Sequence, residues 1–312
     1  MSYIFLSVGF ILLVKGADFF VDGSSSLAKY LKVPPLFIGI TIVSIGTSMP
    51  EIVVSLIASL KGSNEIAISN AIGSNIFNLL VVLGSCSLLK PLITKKEIIT
   101  RDFIVLLVST FILLVFAYDK VFTNSNINFI SRSEGLLFIL GFFLYTYTLL
   151  LNNRSNRYVI KEDYKLTLED ILCLLLGLSS VIIGGEIVIR FSKIIALNFN
   201  ISETIVGLTI ISVGTSLPEL ITSLIAVKKG KNDIAIGNVI GSNIFNILIV
   251  IGLSSVVNNI YLNNIAILDI FISLILTILC FGVILKNRKL DKKYGLIMLI
   301  SYILFLIFVV NR

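Results

Sequence analysis

The sequence predicts an all-α membrane protein in which ten transmembrane helices form two inverted five-helix repeats, with discontinuous helices at the midplane. Three observations predict this fold: the hydrophobicity of the chain, a duplicated polar motif, and the number of apolar segments with the charges that flank them. Of the 312 residues, 56% are hydrophobic and 14% are charged, and the mean hydropathy is +1.03. A soluble chain of this size could not cover so much apolar surface, so the bilayer is the expected solvent.

Ten apolar segments are long enough to cross a membrane, at about 20 residues per span. They are residues 2–30, 36–60, 65–89, 102–118, 133–152, 167–197, 203–227, 233–257, 265–285 and 292–310. The longest polar connector lies near the middle of the chain. We therefore predict a first five-helix repeat over 1–152, a cytoplasmic linker over 153–166 and a second repeat over 167–312. Because each repeat has an odd number of spans, the second repeat enters the membrane from the opposite side.

The lysines and arginines predict the orientation. If both termini are extracellular, 18 of these residues lie on the cytoplasmic side and 6 on the outer side, as the positive-inside rule requires. Topology therefore explains the net charge of +7, and we expect no nucleic-acid partner. The predicted location is the cell membrane, with the lipid bilayer as partner and a monomer as the functional unit.

The residue types that are missing restrict the chemistry. The chain contains no histidine, which excludes histidine-based acid–base catalysis and histidine-rich metal sites. Its three cysteines lie far apart in apolar segments and are predicted to be buried, inert thiols. Because the sequence shows no nucleophile–base pair, we predict that the protein is not an enzyme and needs no cofactor.

The duplicated motif occupies residues 46–78 and 214–246, which agree at 23 of 33 positions when aligned at an offset of 168. Each copy begins with GTSxPE, so a proline directly precedes Glu51 in one copy and Glu219 in the other. Proline has no amide hydrogen and disfavours helical geometry in the residue before it. Each span is therefore predicted to break near its Thr-Ser pair. The second half-helix then begins with the glutamate at its positive end.

The two glutamates indicate a cation site. An unpartnered carboxylate inside the membrane costs roughly 2.5 kcal/mol or more, and two facing carboxylates repel each other unless a cation lies between them. Together with hydroxyl and freed carbonyl oxygens of the Thr-Ser pairs, they form a ligand set that suits Ca²⁺ or Na⁺ better than a soft transition metal. The alternative is that these are structural proline kinks, and their duplication argues against it.

A second signature ends each copy of the motif, over residues 70–78 and 238–246. Its serine and its last asparagine are four residues apart and share a helical face, as Ser74 with Asn78 and as Ser242 with Asn246. For the other asparagines, the alternative to ion binding is hydrogen bonding between helices; they are Asn70, Asn75, Asn238 and Asn243. Further charges within the spans are predicted to form structural pairs or to line a vestibule: Lys15 with Asp18, and Glu186 with Arg190.

With GTSxPE and NxIGSNIxN in inverted duplicate, the chain resembles the sodium/calcium exchanger branch of the cation/calcium antiporters, whose second motif is GNxIGSNIxN. The first copy departs from that motif in having Ser69 where the second has Gly237. The motifs match in both repeats, and the number of spans is consistent with the family over the whole chain. It implies four ion sites at the midplane, with Glu51 and Glu219 as ligands shared by Ca²⁺ and Na⁺, and with carbonyl oxygens from Thr47 and Thr215. It also implies that serines complete the flanking Na⁺ sites and that asparagines line the central site: Ser48, Ser216, Ser74, Ser242, Ser44 and Ser212, with Asn78 and Asn246.

The predicted activity is exchange of Na⁺ for Ca²⁺ by alternating access, with both ions as substrates that compete for the two glutamates. By resemblance, spans 2–30 and 167–197 are the mobile pair. Some relatives, including potassium-dependent ones, have an acid where this chain has Asn246, so its absence argues against K⁺ cotransport. Two alternatives stay open. An exchanger of H⁺ for Ca²⁺ or another divalent cation is disfavoured by the serine ligands, and a cation channel by the inverted repeats.

Overall fold

The structure is a computed structural model that describes residues 2–94, 96, 98–118, 127–155, 164–198 and 212–311. Side chains at 64–65, 152–155, 196–197 and 212 lie outside this description. So do most of the predicted linker, over 156–163, and the first part of the seventh predicted span, over 203–211.

The described chain is almost entirely helical, as predicted. Its first half contains α1 (Ser2–Tyr30), α2 (Pro35–Thr47), α3 (Met49–Leu60), α4 (Asn64–Phe77), α5 (Leu83–Leu89), α6 (Phe103–Ala117) and α7 (Arg132–Ser155). Its second half contains α8 (Leu168–Asn198), α9 (Ser212–Thr215), α10 (Leu217–Lys228), α11 (Asn232–Phe245), α12 (Gly252–Val257), α13 (Asn264–Asn287) and α14 (Lys292–Val310). Eight helical segments in the described residues are long and apolar enough to cross a membrane, and α2 with α3 would make a ninth, bent span.

Helices α2 and α3 form the first predicted broken span. The two are bent by 46°, and the break falls at Ser48 between Thr47 and Met49. Because Pro50 has no amide hydrogen, it cannot donate the helical hydrogen bond to the residue four positions earlier, which weakens the helix at this point. The corresponding break between α9 and α10 also falls at a serine before a proline, at Ser216.

Four π-helical turns interrupt the helices of the described chain. Two of them begin at the last asparagine of each repeated signature: Asn78–Val82 joins α4 to α5, and Asn246–Ile251 joins α11 to α12. The other two are Gly39–Val43 within α2 and Ile98–Asp102 before α6. A π turn adds a residue to a helical turn and frequently marks a functional site.

Helices α11 and α4 form the centre of the molecule. Every residue of α11 from Ile234 to Phe245 is buried. At the periphery, only 11% of the apolar window of α14 and 22% of that of α7 is buried, so these helices present apolar side chains to the surroundings, as lipid-facing helices do. Of the cysteines, all free, Cys86 and Cys280 are buried as predicted and Cys173 is half-buried.

Helices α1 and α8 pack closely against each other along their length. A Cβ atom added at Gly16 would lie 2.6 Å from the Ser180 Cβ, and one at Gly177 would lie 2.4 Å from the Phe20 backbone nitrogen. Only glycine permits so close an approach of two helix backbones. The two helices therefore form a tightly joined pair beside the central helices.

Two short antiparallel pairs of strands connect loops that are distant in sequence. Strand β1 (Leu92–Ile93) pairs with β4 (Lys289–Leu290), and β2 (Asn128–Ile130) pairs with β3 (Ile260–Leu262). Each pair joins a loop of the first half to a loop of the second half, so the two halves form one body.

Candidate cation-binding site

Two fully buried glutamates lie at the helix breaks. Glu51 is in the first turn of α3, three residues after Ser48, whose φ and ψ of −85° and 10° interrupt the helix. Glu219 occupies the same position in α10, after Ser216 with φ and ψ of −92° and 5°. Both carboxylates are thus near the positive end of a half-helix, as the motif predicted.

Each break supplies a hydroxyl to the carboxylate of the other half. The Ser48 Oγ donates to the Glu219 Oε1 at 2.8 Å, and the Ser216 Oγ donates to the Glu51 Oε1 at 3.1 Å. Hydrogen bonds to a charged group are worth about 1.5–3 kcal/mol each. These two bonds cross between the halves, so the two breaks and their glutamates form one polar centre.

The serines of the second signature bind the same carboxylate oxygens, each within its own half. The Ser74 Oγ donates to the Glu51 Oε1 at 3.3 Å, and the Ser242 Oγ to the Glu219 Oε1 at 3.5 Å. Each Oε1 therefore accepts from one serine of α4 or α11 and from one serine at a helix break. The structure brings these four serines and two glutamates together, as the two motifs predicted.

Four other oxygens of this centre are buried acceptors without a hydrogen-bond donor: the Oε2 atoms of Glu51 and Glu219 and the Oδ1 atoms of Asn78 and Asn246. Nearly all buried polar groups in native proteins are paired, so an unpaired set needs an explanation. Asn78 and Asn246 each lie one helical turn beyond the serine that contacts a glutamate. Carboxylate and amide oxygens are ligands of hard cations, so a cation is the partner that this set fits.

The hydroxyls of the two threonines donate to asparagines of the repeated signature. The Thr47 Oγ1 donates to the Asn238 Oδ1 at 3.0 Å, and the Thr215 Oγ1 donates to the Asn70 Oδ1 at 3.3 Å. These bonds also cross between the halves. A ligand role for either threonine would therefore fall to its backbone carbonyl, as the family resemblance implies.

The same two asparagines hold the half-helices that carry the glutamates. The Asn70 Nδ2 donates to the Glu51 backbone oxygen at 3.3 Å and to a serine Oγ at 3.0 Å, and the Asn238 Nδ2 makes the equivalent bonds to the Glu219 oxygen at 3.4 Å and to a serine at 3.0 Å. The two serines are Ser55 and Ser223, which the sequence motifs did not identify. Their identical placement four residues after each glutamate was a signal that could have identified them.

Ser44 lies beside the centre, but its hydroxyl donates to backbone oxygens of its own helix, those of Ile40 and Thr41. Its backbone oxygen accepts from the Ser242 Oγ at 3.5 Å. Ser212, the equivalent residue, begins α9, and its side chain lies outside the described residues.

Asn75 and Asn243 join α4 to α11 directly. Each side chain donates to the backbone oxygen of the other at 3.2 Å. Each also accepts from the last asparagine of the opposite signature: the Asn246 Nδ2 lies 3.0 Å from the Asn75 Oδ1, and the Asn78 Nδ2 lies 3.1 Å from the Asn243 Oδ1. These bonds support the interhelical alternative for Asn75 and Asn243.

In the second half of α1, an ion-pair cluster connects this helix to the segment between α10 and α11. The Lys229 Nζ lies 2.8 Å from the Asp18 Oδ1 and 2.7 Å from the Asp22 Oδ2, and the Lys231 Nζ lies 2.9 Å from the Asp22 Oδ1. Asp18 therefore pairs with Lys229, which directly follows α10, whereas the predicted pair was with Lys15 of α1 itself.

Comparison with known proteins agrees with this geometry. The family model described as "Sodium/calcium exchanger protein" matches residues 1–151 and 170–311. The chain is 31% identical to the sodium/calcium exchanger MaX1 of Methanosarcina acetivorans, with 98% of each chain covered. It is 39% identical to the putative antiporter CaxA of Alkalimonas amylolytica, over 82% of this chain and 81% of that protein.

The fold has a close match among solved structures. The sodium-calcium exchanger NCX_Mj, in a structure soaked with Na⁺ and Sr²⁺, is 31% identical and superposes with a TM-score of 0.85, covering 97% of each chain. The match extends over nearly the whole of both chains, so it includes the helices that carry the two signatures. The chain belongs to the sodium/calcium exchanger family of membrane antiporters.

Proposed function

We propose that this protein exchanges Na⁺ for Ca²⁺ across the cell membrane by alternating access. One observation carries the proposal: four buried oxygens, on Glu51, Glu219, Asn78 and Asn246, have no hydrogen-bond donor and lie in a centre built from both halves. Two carboxylates supply two negative charges, which balance one Ca²⁺ or two Na⁺ but not both sets. Competition of the two ions for these charges is the coupling.

The ligands that we propose are those that the family resemblance implies, and the four buried oxygens without a donor support the glutamates and asparagines among them. Glu51 and Glu219 are the ligands shared by Ca²⁺ and Na⁺, and the backbone carbonyls of Thr47 and Thr215 add oxygens at the helix breaks. Serine oxygens suit Na⁺, which carries a single charge; four serines contact the carboxylates directly, and we propose Ser44 and Ser212 as further ligands by resemblance. Two amide oxygens line the central site. This wider set is Ser48, Ser216, Ser74, Ser242, Ser44, Ser212, Asn78 and Asn246.

The proposed architecture is ten transmembrane helices in two inverted repeats, over 1–152 and 167–312, joined by a cytoplasmic linker over 153–166. Both termini are extracellular, which follows from the distribution of lysine and arginine. The paired hydrogen bonds at the two breaks support this arrangement, because equivalent residues of the two halves make equivalent contacts. The joined helices α1 and α8 are the element that moves past the centre and opens it to each side in turn.

The decisive experiment is Na⁺-driven Ca²⁺ flux in proteoliposomes. Vesicles loaded with Na⁺ and diluted into Na⁺-free medium are expected to accumulate ⁴⁵Ca²⁺ with the native protein, and Glu51→Gln or Glu219→Gln abolishes this uptake. Glu169→Gln, at an exposed position at the start of α8, is the matched control and retains it. Normal uptake by either buried variant would contradict the proposal.

The same vesicles test the other couplings. A pH gradient in Na⁺-free medium drives Ca²⁺ uptake only if protons replace Na⁺, and we expect none because serine hydroxyls surround both carboxylates. Addition of K⁺ is expected to leave the Na⁺-driven flux unchanged, since Asn246 contributes no charge. Ca²⁺ flux that needs no counter-ion would indicate a channel.

A further inference from the structure

Asn75 and Asn243 carry none of the four unpaired oxygens of the centre, but each contacts one of the two asparagine side chains that carry such an oxygen. Asn75 contacts Asn246, and Asn243 contacts Asn78. Both side chains are buried, with exposed fractions of 1% and 0%. They join α4 to α11 through a ring of four hydrogen bonds that is the same in both halves. The inference drawn from this ring rests on the proposed function, because it concerns the same cation site.

The ring determines which way the amide of Asn75 points. The backbone oxygen of Asn243 can only accept, so the group that Asn75 presents to it at 3.2 Å must be its NH₂. The Oδ1 of Asn75 then points to the other side, where it faces the side chain of Asn246 at 3.0 Å. A backbone carbonyl thus removes the ambiguity between oxygen and nitrogen that an asparagine amide otherwise has.

The orientation of Asn75 in turn determines the orientation of Asn246. Only the NH₂ of Asn246 can donate to the Asn75 Oδ1, so the Asn246 Oδ1 must point away from Asn75. This is the Asn246 oxygen that is buried without a donor. By the same steps in the other half, Asn243 receives the NH₂ of Asn78 at 3.1 Å, which leaves the Asn78 Oδ1 free.

We propose that Asn75 and Asn243 are positioning residues that hold the amides of Asn246 and Asn78 with their oxygens toward the transported cation. With either amide turned over, two oxygens would face each other across the ring. The NH₂ would then point toward the centre, where it would repel a cation and donate to a carboxylate oxygen that the cation needs. Each half of the protein thereby orients a ligand of the other half.

This proposal differs from a purely structural role in what it predicts for ion affinity. If Asn75 only joins two helices, its loss lowers the melting temperature and leaves ion binding unchanged. If Asn75 acts through Asn246, its loss weakens ion binding, and the effect disappears when Asn246 has no amide to orient. Residues that orient metal ligands typically change affinity by about 10–100-fold when they are replaced.

A double-mutant cycle on the purified protein separates the two roles. The apparent Ca²⁺ affinity is measured from the rise in melting temperature with Ca²⁺ concentration, which requires no transport. Asn75→Leu is expected to weaken Ca²⁺ binding by about tenfold or more. In an Asn246→Ala background, Asn75→Leu is expected to weaken Ca²⁺ binding by less than about a further twofold. The Asn246 amide that Asn75 would orient is then already missing, so the two effects do not add. In an Asn78→Ala background Asn75→Leu keeps its full effect, since the Asn78 side chain donates to Asn243 and not to the side chain of Asn75.

Asn258→Leu is the matched control, since its Nδ2 also donates to a backbone oxygen of another helix, that of Ser59 at 3.4 Å, away from the site. It lowers stability without changing Ca²⁺ affinity. The mirror-image cycle with Asn243→Leu, and the smaller replacement Asn75→Ser, make the same comparison if one variant does not fold.

Equal effects of Asn75→Leu in all backgrounds, or unchanged affinity, would overturn the positioning role and leave the proposed function intact. A native protein that neither Ca²⁺ nor Na⁺ stabilises would instead contradict the proposed function itself.

Discussion

The contacts at the centre of the molecule come in pairs, whereas the ion pairs between α1 and the segment that joins α10 to α11 do not. At the centre, Ser48 bonds to Glu219 at 2.8 Å and Ser216 bonds to Glu51 at 3.1 Å. The bonds of the second-signature serines to the glutamates and the bonds among the asparagines are paired in the same way. At the periphery, a cluster of ion pairs connects α1 to the segment before α11, over Asp18, Asp22, Lys229 and Lys231.

The residues equivalent to this cluster in the other half do not reproduce its charges. At the offset of 168, Asp22 corresponds to Arg190, and Lys231 corresponds to Ser63. Lys61 is the equivalent of Lys229. The residue that corresponds to its partner Asp22 is Arg190, a cation, so the equivalent ion pair cannot form. Among the described residues, the ion-pair cluster therefore involves α1 and is not repeated on α8.

This difference separates two properties of an alternating-access exchanger. A site with paired ligands can bind the same ion from either side with similar affinity. An unpaired contact between the mobile helices and the rest of the protein stabilises one of the two access states over the other. In the proposed mechanism, the symmetric centre would determine which ions are exchanged, and the asymmetric periphery would determine the balance between the two states.

The largest effect is expected from substitutions that break the symmetry of the centre. Glu51→Gln and Glu219→Gln each remove one of two charges that face the ion, and a unit charge at 4 Å is worth about 4 kcal/mol at an effective dielectric constant of 20. Each variant is expected to lose at least about 100-fold in Ca²⁺ affinity, measured from the dependence of melting temperature on Ca²⁺, with the two losses equal within a few-fold. A loss confined to one variant would show that the glutamates are not equivalent.

A smaller, paired effect is expected for the serines at the helix breaks. Ser48→Ala and Ser216→Ala each remove a hydrogen bond to a carboxylate, worth about 1.5–3 kcal/mol. We expect the Na⁺ concentration that half-inhibits ⁴⁵Ca²⁺ exchange to rise about tenfold or more in both variants. Ser109→Ala is the control, because that buried serine donates to a backbone oxygen of its own helix, that of Leu106. Unchanged Na⁺ inhibition in both variants would remove the serines from the Na⁺ sites.

The centre could be predicted from the sequence because its information is local and duplicated. Pro50 lies between Ser48 and Glu51 and determines where the helix breaks. The second copy at Ser216 and Glu219 shows that the pattern is not accidental. What the sequence could not predict is which hydroxyl bonds to which carboxylate. That the serines reach across to the other half depends on how α2–α3 and α9–α10 pack together.

The ion-pair cluster was not predicted because its partners are more than 200 residues apart and have no counterpart in the other half. The spacing of Lys15 and Asp18 favoured a pair within α1, but the structure places Lys229 closer to the Asp18 carboxylate. A sequence pattern identifies neighbours on one helix, and a contact between helices depends on packing that no local pattern contains.

A few-fold effect is expected when the periphery is altered. The carboxylates of the cluster are about half exposed, and ion pairs of this kind are worth about 1 kcal/mol or less. Lys229→Ala is therefore expected to change the rate of Ca²⁺ exchange by up to about fivefold, without changing Ca²⁺ affinity. Added choline chloride, which screens charges without competing for the site, should reduce this difference. Lys61→Ala is the control from the equivalent position, and an effect as large as that of Lys229→Ala would contradict the asymmetry.

The smallest expected effect is the response of the cluster to pH. Partial burial alone would lower the pKa of Lys229, but its hydrogen bonds to Asp18 and Asp22 outweigh burial and raise the pKa above its ordinary value. A raised pKa means that the stabilisation is complete below the ordinary lysine value of about 10.4 and is lost only as the pH rises beyond it. The ratio of exchange rates between the native protein and Lys229→Ala should thus be constant from about pH 6.5 to about pH 9. A ratio that falls to one within this range would show that a group other than this ammonium controls the difference, and that the ion pairs do not set the balance between the two states.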